Sequence, residues 1–281
     1  MASERNPGAY GFGLVPTTAL QLPDLPEQRS DATVVSVEWS CGAAVIDAYA
    51  VSEDRYLMAN RRAGLLMVTR EPATVVCALA QAITPEAFVH PILTLPLSFL
   101  AHWRGNATLH GGAFLHAGRA WVVTGEREAG KSTLLAQLAQ RGVPIVADDL
   151  VVVDGHDVLA GPCCVDLRAD TAARIPDARS IGVVGGRMRF RLRTPPSPVR
   201  VPLGGMCLLE WGDGAPALEP LPVEQRLRVL HWQHYAAEIG PPAPAQNLAL
   251  LERPIWRFRR RRDWARADAA LDHLLDALSR G

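Results

Sequence analysis

The sequence predicts an α/β fold in which a β-sheet carries a glycine-rich loop, with a smaller β-rich part before it. Three observations predict this fold class. An apolar strand at Trp121–Thr124 leads directly into the loop Gly125–Ser132, and a helix with leucines along one face follows at Ser132–Gln140. Short β-branched or alternating segments, separated by turn residues, fill residues 33–81. Hydrophobic residues make up 48% of the chain and charged residues 21%, which is typical of a globular protein.

The 281 residues suffice for two domains, and we expect a boundary after residue 104. Residues 1–104 are predicted to be β-rich, with an edge strand near Tyr10–Leu14. Residues 73–81 fit either a strand or a helix. The strands of a small antiparallel sheet are predicted at Thr33–Trp39, Ala43–Val51, Arg55–Met58 and Gly64–Thr69. The mainly helical segment Pro85–Trp103 presents on one face Leu93, Leu97 and Leu100.

Residues 105–281 are predicted to alternate strands and helices around the glycine-rich loop. The predicted strands are Ala107–His110, Ala113–His116, Ala120–Thr124, Pro144–Val146, Leu150–Asp154, Asp157–Ala160, Met188–Leu192 and Met206–Trp211. The predicted helices are Ser132–Gln140, Pro222–Glu238 and Arg266–Leu278. Strands and helices that alternate in this order indicate a β-sheet covered by helices.

The charge balance excludes two classes of partner. Twenty-nine basic and 29 acidic residues cancel, so no global field attracts nucleic acid or an anionic membrane surface. The longest nearly uncharged apolar stretch, Pro91–Trp103, is too short to span a membrane. The first residues carry no apolar signal-peptide region, and the five cysteines are scattered without a CxxC pair. We therefore expect a cytoplasmic protein with no nucleic-acid or membrane partner.

The loop Gly125–Ser132 fits the pattern G-x-x-x-x-G-K-[ST], which is the phosphate-binding loop, or P-loop. Its glycines let consecutive backbone N–H groups face phosphates, and the helix that follows adds the positive end of its dipole. Lys131 is expected to reach the β- and γ-phosphates, and the Ser132 hydroxyl to coordinate Mg²⁺. We therefore predict that ATP or another nucleoside triphosphate binds here with Mg²⁺. The predicted contacts are Gly125, Glu126, Arg127, Glu128, Ala129, Gly130, Lys131, Ser132 and Thr133.

Two carboxylates, Asp148 and Asp149, follow the next apolar strand, Val143–Ala147. If that strand lies beside Trp121–Thr124, both carboxylates emerge at the edge of the sheet that carries the P-loop. One carboxylate at this place is the usual partner of the metal, and the second is free to act as a base. The alternative is a solvated Asp-Asp turn.

His110-Gly111, the P-loop and the Asp148-Asp149 pair together resemble the catalytic domain of HPr kinase/phosphorylase, a bacterial protein-serine kinase. His110 lies fifteen residues before Gly125, and Lys131 lies seventeen before Asp148, as in that family. The resemblance covers about residues 109–168. Residues 109–125 look closer still to the HPr-kinase-like proteins of peptide-maturation clusters, which include the lasso-peptide kinases.

The resemblance implies a mixed-sheet P-loop core of the HPr-kinase and phosphoenolpyruvate-carboxykinase type, and it implies catalytic roles for Asp149, Asp148, His110 and Lys131. Asp149 matches the general base that deprotonates the acceptor serine, and Asp148 matches a residue that supports this base or holds the metal. His110 matches the active-site histidine beside the pair. Asp166-Leu167-Arg168 looks like a remnant of the second signature of the family, which makes Asp166 a metal ligand together with Ser132 and Asp148.

The function that the resemblance implies is an ATP-dependent kinase in cytoplasmic peptide (RiPP) biosynthesis. It would transfer the γ-phosphoryl group to a serine hydroxyl of a precursor peptide of the lasso type or of a small protein. Two other kinase substrates stay open, namely an HPr-type carrier protein and a small-molecule hydroxyl. A different class also stays open, a P-loop protein that binds nucleotide without catalysis as a sensor or assembly partner. The resemblance further implies that the chain can assemble as a homo-oligomer.

Two basic stretches and several tryptophans have simpler interpretations. Arg187–Arg193 places four arginines on alternate residues, which predicts either a solvated strand face or a clamp for a phosphate or an acidic peptide. Arg257–Arg262 is a denser run without alternation, and we expect it to be solvated surface. His116 is expected to be structural. The tryptophans expected in the core or in a subunit interface include Trp103, Trp121, Trp211 and Trp232.

Overall fold

The computed structural model describes residues 6–42, 45–242 and 244–280, and it is a mixed α/β structure. Within these residues, the first sheet has seven strands in the order β1-β2-β3-β7-β6-β5-β4. They are β1 (Gly8–Ala9), β2 (Phe12–Pro16), β3 (Thr33–Cys41), β4 (Ala48–Val51), β5 (Arg55–Asn60), β6 (Gly64–Thr69) and β7 (Thr74–Leu79). Of the predicted strand at residues 43–51, residues 43 and 44 lie outside the described residues.

The first sheet is mixed, so the prediction of an antiparallel sheet is wrong for part of it. Strands β4 to β7 form an antiparallel meander. Strand β3, however, pairs in parallel with both β2 and β7. The chain runs from β3 to the far edge of the sheet and returns through the meander, which brings β7 back beside β3 in the same direction. Residues 74–79 are a strand with buried residues on alternate positions, which decides between the two predicted alternatives.

The segment after the first sheet is helical, as predicted, but it is not one continuous helix. It consists of α1 (Pro85–Ala87), a π-helical turn (Phe88–Ile92) and α2 (Thr94–Trp103). His90 has extended dihedral angles inside the π-helical turn and precedes Pro91, so the chain bends there. The three predicted face leucines, Leu93, Leu97 and Leu100, are buried.

A second sheet contains nine strands in the described part of the chain, ordered β11-β9-β10-β17-β13-β12-β8, with β19 beside β17 and β18 beside β19. The strands are β8 (Ala107–His110), β9 (Gly112–His116), β10 (Arg119–Thr124), β11 (Ile145–Ala147), β12 (Leu150–Asp154), β13 (Asp157–Leu159), β17 (Arg200–Trp211), β18 (Ala217–Pro220) and β19 (Ile255–Arg260). A small third sheet, in the order β14-β16-β15, is formed by β14 (Cys164–Leu167), β15 (Arg179–Val184) and β16 (Arg187–Arg193).

The directions of four strands in the second sheet position the site. Strands β10 and β19 flank β17, and both run parallel to it. The prediction for Asp148 and Asp149 depended on β11 lying directly beside β10. It does not, because β9 lies between the two strands. Since β9 is antiparallel to both neighbours, β10 and β11 still run in the same direction. The carboxyl ends of β10, β11, β17 and β19 therefore meet at one edge of the sheet.

The remaining helices follow the first sheet in the chain, and α4 among them packs on the third sheet through β16. They are α3 (Lys131–Gln140), α4 (Ala169–Ala172), α5 (Val223–Trp232), α6 (Pro244–Leu251) and α7 (Ala267–Arg280). The helix predicted at Pro222–Glu238 ends at Trp232, and the chain then pairs with β8 through a bridge between Leu109 and His234. Helix α7 buries the apolar face that its sequence predicts, and His116 contacts this helix through Leu275 O and Ser279 Oγ, a structural role.

One apolar core runs through both halves of the chain. It joins Val35, Val75 and Leu97 from the first half to Val152 and Met206 from the second. A second core cluster lies around α3 and α7. The proposed boundary after residue 104 therefore crosses a continuous buried cluster, and it stays a prediction. In the described residues, no helix combines the length and the apolar character needed to cross a bilayer.

Candidate active site

A cleft of about 610 Å³ lies at the edge of the second sheet where β10, β11, β17 and β19 end. The P-loop follows β10, and Asp148 and Asp149 follow β11. His110 enters the cleft from the end of β8. All predicted site residues line this cleft except Ala129, which is buried. Residues that are separated along the sequence are thus brought together by the directions of the strands.

The P-loop has the geometry that its glycines predict. Gly130 caps the N-terminus of α3 with a φ of +83°, a backbone conformation that residues other than glycine rarely adopt. The Nζ of Lys131 donates to Gly125 O at 2.8 Å and to Glu126 O at 3.2 Å. Burial lowers the pKa of Lys131, although the charges of Asp149 and Asp148 act in the opposite direction. The lysine therefore lies over the loop, close to both carboxylates.

Asp148 is a buried carboxylate behind the P-loop. Its Oδ1 accepts a hydrogen bond from Ser132 Oγ at 3.1 Å, and its Oδ2 accepts one from the backbone N–H of Asp166 at 2.9 Å. Burial raises the pKa of Asp148 to about 6, and the nearby His90 partly offsets this. Ser132 and Asp148 thus form one rigid oxygen-rich pair at the start of α3.

Asp149 points into the other side of the cleft and is a third exposed. Its Oδ1 lies 3.4 Å from Nδ1 of His110, and its Oδ2 accepts a hydrogen bond from the Tyr235 hydroxyl at 3.3 Å. Its backbone has a φ of +64°, a strained conformation for a residue other than glycine. Burial lowers the pKa of His110, which keeps the imidazole neutral at neutral pH. Asp149 is therefore an accessible carboxylate that accepts a hydrogen bond from Tyr235 and lies beside the His110 imidazole.

Tyr235 and Arg191 contact residues of the cleft but are not among the predicted site residues. Tyr235 follows α5, and burial raises the pKa of its hydroxyl, so it stays a donor to Asp149. Arg191 is buried in β16, where its Nε donates to Asp166 Oδ1 at 2.9 Å. It also donates to the backbone carbonyls of Glu86 and His90, which belong to the first half of the chain. The alternating arginines of β16 were the available sequence signal for Arg191.

The four alternating arginines of β16 separate into two pairs. Arg187 and Arg189 line the cleft, and the positive charge of Arg127 lowers the pKa of Arg187. Arg191 and Arg193 instead pair with Asp24, at 3.6 and 3.0 Å. Neither predicted interpretation therefore describes the whole strand, because Arg187 and Arg189 line the cleft, Arg191 is buried and Arg193 is exposed.

Trp211 and Arg260 support the P-loop from the neighbouring strand ends. The indole N–H of Trp211 donates to Glu128 O at 3.0 Å, and a guanidinium nitrogen of Arg260 contacts Ala129 O at 3.1 Å. Arg260 is 6% exposed, and its guanidinium lies 4.3 Å from the centroid of the Trp211 ring. The expectation that Arg257–Arg262 is solvated surface is therefore wrong for Arg260, because this run is largely the strand β19. Trp211 and Trp232 are exposed and line the cleft, so they are not core residues.

The oxygen donors beside the P-loop fit a magnesium ion. Ser132 Oγ and Asp148 Oδ1 are adjacent, and Mg²⁺ commonly binds through one or two such protein oxygens together with phosphates and water. Among the described residues, no three His, Cys, Asp or Glu side chains form a metal-binding group by themselves. The geometry does not favour Asp166 as a ligand, because Arg191 already pairs with its carboxylate; this role stays a prediction.

Comparisons with known proteins add limited information. No protein-family model matches the sequence, and no curated protein matches it. Among solved structures, the chain is similar to the HPr(Ser) kinase/phosphatase from Coxiella burnetii, with 13% sequence identity and a TM-score of 0.29. The alignment covers 62% of this chain and 93% of that chain. At this identity and TM-score, the similarity shows no function for this chain.

Proposed function

We propose that this chain is a P-loop kinase that transfers the γ-phosphoryl group of ATP, or of another nucleoside triphosphate, to a hydroxyl group. The observation that carries the proposal is the placement of Asp149. This accessible carboxylate, supported by His110 and Tyr235, lies in the same cleft as Lys131 and Ser132 of the P-loop. Phosphoryl transfer needs a phosphate cradle and a group that orients and deprotonates the acceptor, and the P-loop and Asp149 would supply them.

The P-loop side of the cleft would bind the triphosphate. Lys131 would leave the carbonyls of Gly125 and Glu126 and contact the β- and γ-phosphates as a point charge. The N–H groups at the start of α3 would face the phosphates. Ser132 and Asp148 would hold Mg²⁺, which when bound supplies positive charge to the phosphate oxygens.

The transfer step is a direct in-line displacement. The acceptor oxygen forms a bond to the γ-phosphorus, and the bond from that phosphorus to the bridging oxygen breaks. The bridging oxygen keeps the electron pair and leaves with the nucleoside diphosphate. Asp149 accepts the proton of the acceptor hydroxyl. His110 and Tyr235 hold the Asp149 carboxylate in one orientation during the transfer.

We further propose that the acceptor is a serine hydroxyl in a peptide, for example a ribosomally made precursor. The resemblance of residues 109–125 to the HPr-kinase-like proteins of peptide-maturation clusters supports this substrate class. The open cleft also supports it, because a chain segment can enter beside Asp149 and because Arg187 and Arg189 offer positive charge to acidic residues around the serine. A folded carrier protein or a small-molecule hydroxyl would use the same base.

A nucleotide sensor without catalysis is the alternative from another class. Such a protein needs the P-loop, Lys131 and a metal site, but it has no use for a second, accessible carboxylate. The strained backbone of Asp149 and its two side-chain partners favour a chemical role for this residue.

Incubation of the protein with γ-labelled ATP, Mg²⁺ and candidate acceptors tests the proposal. The acceptors are synthetic peptides with a single serine, free serine and sugars. We expect one phosphate on the serine of a peptide, located by tandem mass spectrometry. A Ser→Ala peptide is the matched control and should take up no label.

The outcomes separate the alternatives. Label on free serine or sugars but not on peptides would contradict the peptide substrate and leave a small-molecule kinase. If the protein binds ATP tightly but neither labels an acceptor nor releases phosphate, the result would support a nucleotide sensor. The kinase proposal would then be abandoned.

A further inference from the structure

The two ends of the cleft are lined by different residues, and the order of the strands determines which residues lie at each end. Along the sheet, β11 and β17 lie on opposite sides of β10, and β19 lies beyond β17. The carboxylates after β11 are therefore at one end, the P-loop after β10 is in the middle, and Trp211 at the end of β17 is at the other. Neighbouring strands are about 5 Å apart, so these ends are separated by roughly the length of a nucleotide.

The proposed function fixes how a nucleotide must lie in this cleft, and the present inference rests on it. If Asp149 deprotonates the acceptor, the γ-phosphate lies at the β11 end. The nucleoside must then extend past the P-loop toward the β17 and β19 end. Thr133, the residue after the P-loop serine, lines a small cavity together with Trp211 and Arg262. This cavity continues the path of the phosphates on the side away from Asp149.

The wall at this end consists of an aromatic ring held in a fixed orientation and of cationic side chains. The hydrogen bond from Trp211 to Glu128 O and the contact with Arg260 set the plane of the indole. A Cβ at Gly130 would lie 2.8 Å from the Trp211 ring, so the ring packs directly on the P-loop backbone. Trp211 is nevertheless 36% exposed, and the guanidinium carbon of Arg262 lies 6.0 Å from its ring centroid.

We propose that Trp211, with Arg262 beside it, is the binding platform for the base of the nucleoside triphosphate. The base stacks on the exposed part of the indole, and the Arg262 guanidinium adds a cation–π contact. Every base offers a π-face, and stacking of this kind discriminates weakly between bases. The platform therefore accepts adenine and guanine nucleotides with similar affinity, and it couples base binding to the P-loop through the Glu128 carbonyl.

The test compares two ligands that share the triphosphate but differ in the base. Binding of Mg²⁺-ATP and of Mg²⁺-tripolyphosphate is measured by calorimetry for the wild type and for Trp211→Leu, Trp211→Phe and Arg262→Gln. Trp232→Leu is the matched control, because Trp232 is an exposed tryptophan that lines the same cleft after α5. Mg²⁺-GTP is measured with the wild type.

We expect Trp211→Leu to weaken ATP binding by about 10- to 100-fold and to leave tripolyphosphate binding within about threefold of the wild type. Trp211→Phe keeps an aromatic face and should retain most of the ATP affinity. Arg262→Gln should weaken ATP binding by several-fold, Trp232→Leu should change neither affinity, and GTP should bind within about tenfold of ATP.

Four results would overturn the platform. Equal weakening of ATP and tripolyphosphate by Trp211→Leu would show that the ring only supports the P-loop. Loss of ATP affinity in Trp232→Leu but not in Trp211→Leu would place the base at the other end. A wild type that binds ATP no more tightly than tripolyphosphate would show that no base platform exists. A wild type that binds neither ligand would refute the proposed kinase function as well.

Discussion

Asp148 and Asp149 are consecutive residues of one chemical type in opposite environments. Asp148 is buried and accepts hydrogen bonds from Ser132 Oγ and the Asp166 N–H, whereas Asp149 is partly exposed between His110 and Tyr235. The positive φ of Asp149 turns the chain so that the two side chains point to different sides of the cleft edge. In the proposed mechanism this separates metal binding from proton transfer within a single turn.

The burial of Asp148 predicts a pH-dependent cost to stability. Its pKa is raised to about 6 in the folded protein from 3.8, so ionisation opposes folding, and stability falls as the pH rises through this interval. At neutral pH the cost is on the order of 3 kcal/mol. Asp148→Asn can keep both hydrogen bonds, since its oxygen can accept from Asp166 and its amide can donate to Ser132. We therefore expect this variant to melt at a higher temperature than the wild type in calorimetry without divalent metal.

The pH dependence of the difference in melting temperature between Asp148→Asn and the wild type decides whether ionisation of Asp148 is the cause. The difference in melting temperature should be small at about pH 4 and should grow toward about pH 7, because only the wild type loses stability there. Asp276→Asn, an exposed substitution on α7, should show no such trend. A gain of equal size at both pH values would mean that ionisation of Asp148 is not its cause.

At the scale of an element, the alternating arginines of β16 have two different roles. Its arginines share one side of the strand, but the burial of that side changes along its length. Near Arg187 the side faces the cleft, and at Arg191 it faces the first half of the chain. Arg191 there joins Asp166, next to the proposed metal site, to Asp24.

This division predicts different results for two matched substitutions. Arg191→Met leaves Asp166 and Asp24 buried with less positive charge, so it should lower the free energy of unfolding by about 3–5 kcal/mol in urea. Arg187→Met removes an exposed side chain on the same strand and should change it by no more than about 0.5 kcal/mol. Equal effects of the two substitutions would contradict the assignment of Arg191 as structural and of Arg187 as part of the cleft wall.

Sequence patterns could predict local elements of this site but not its long-range parts. The loop Gly125–Ser132 and the carboxylates after β11 were predictable, because strand, loop and helix signals lie within a few residues of them. Tyr235 was not, since it meets Asp149 only through the pairing of the chain after α5 with β8. The arginine-rich run around Arg260 predicts exposed surface. Arg260 is buried by the register of β19 beside β17, and the local sequence does not indicate this register.

At the scale of the whole molecule, four strands running in one direction produce the cleft. The strands β10, β11, β17 and β19 each deliver one component to the same edge, namely the P-loop, the carboxylates, Trp211 and Arg260. The continuous core and the contacts of Arg191 tie this edge to the first half of the chain. The arrangement places the accessible carboxylate of Asp149 in the same cleft as the P-loop, although more than fifteen residues separate them in the sequence.

The most direct test of the central claim is single-turnover transfer by Asp149→Asn from γ-labelled ATP to a single-serine peptide that the wild type phosphorylates. ATP affinity is measured in parallel, and Asp276→Asn is the control. If Asp149 is the base, the rate at saturating ATP should fall by about 10²- to 10⁴-fold, while ATP affinity stays within about threefold of the wild type. An Asp149→Asn protein that transfers phosphate at nearly the wild-type rate would contradict the account.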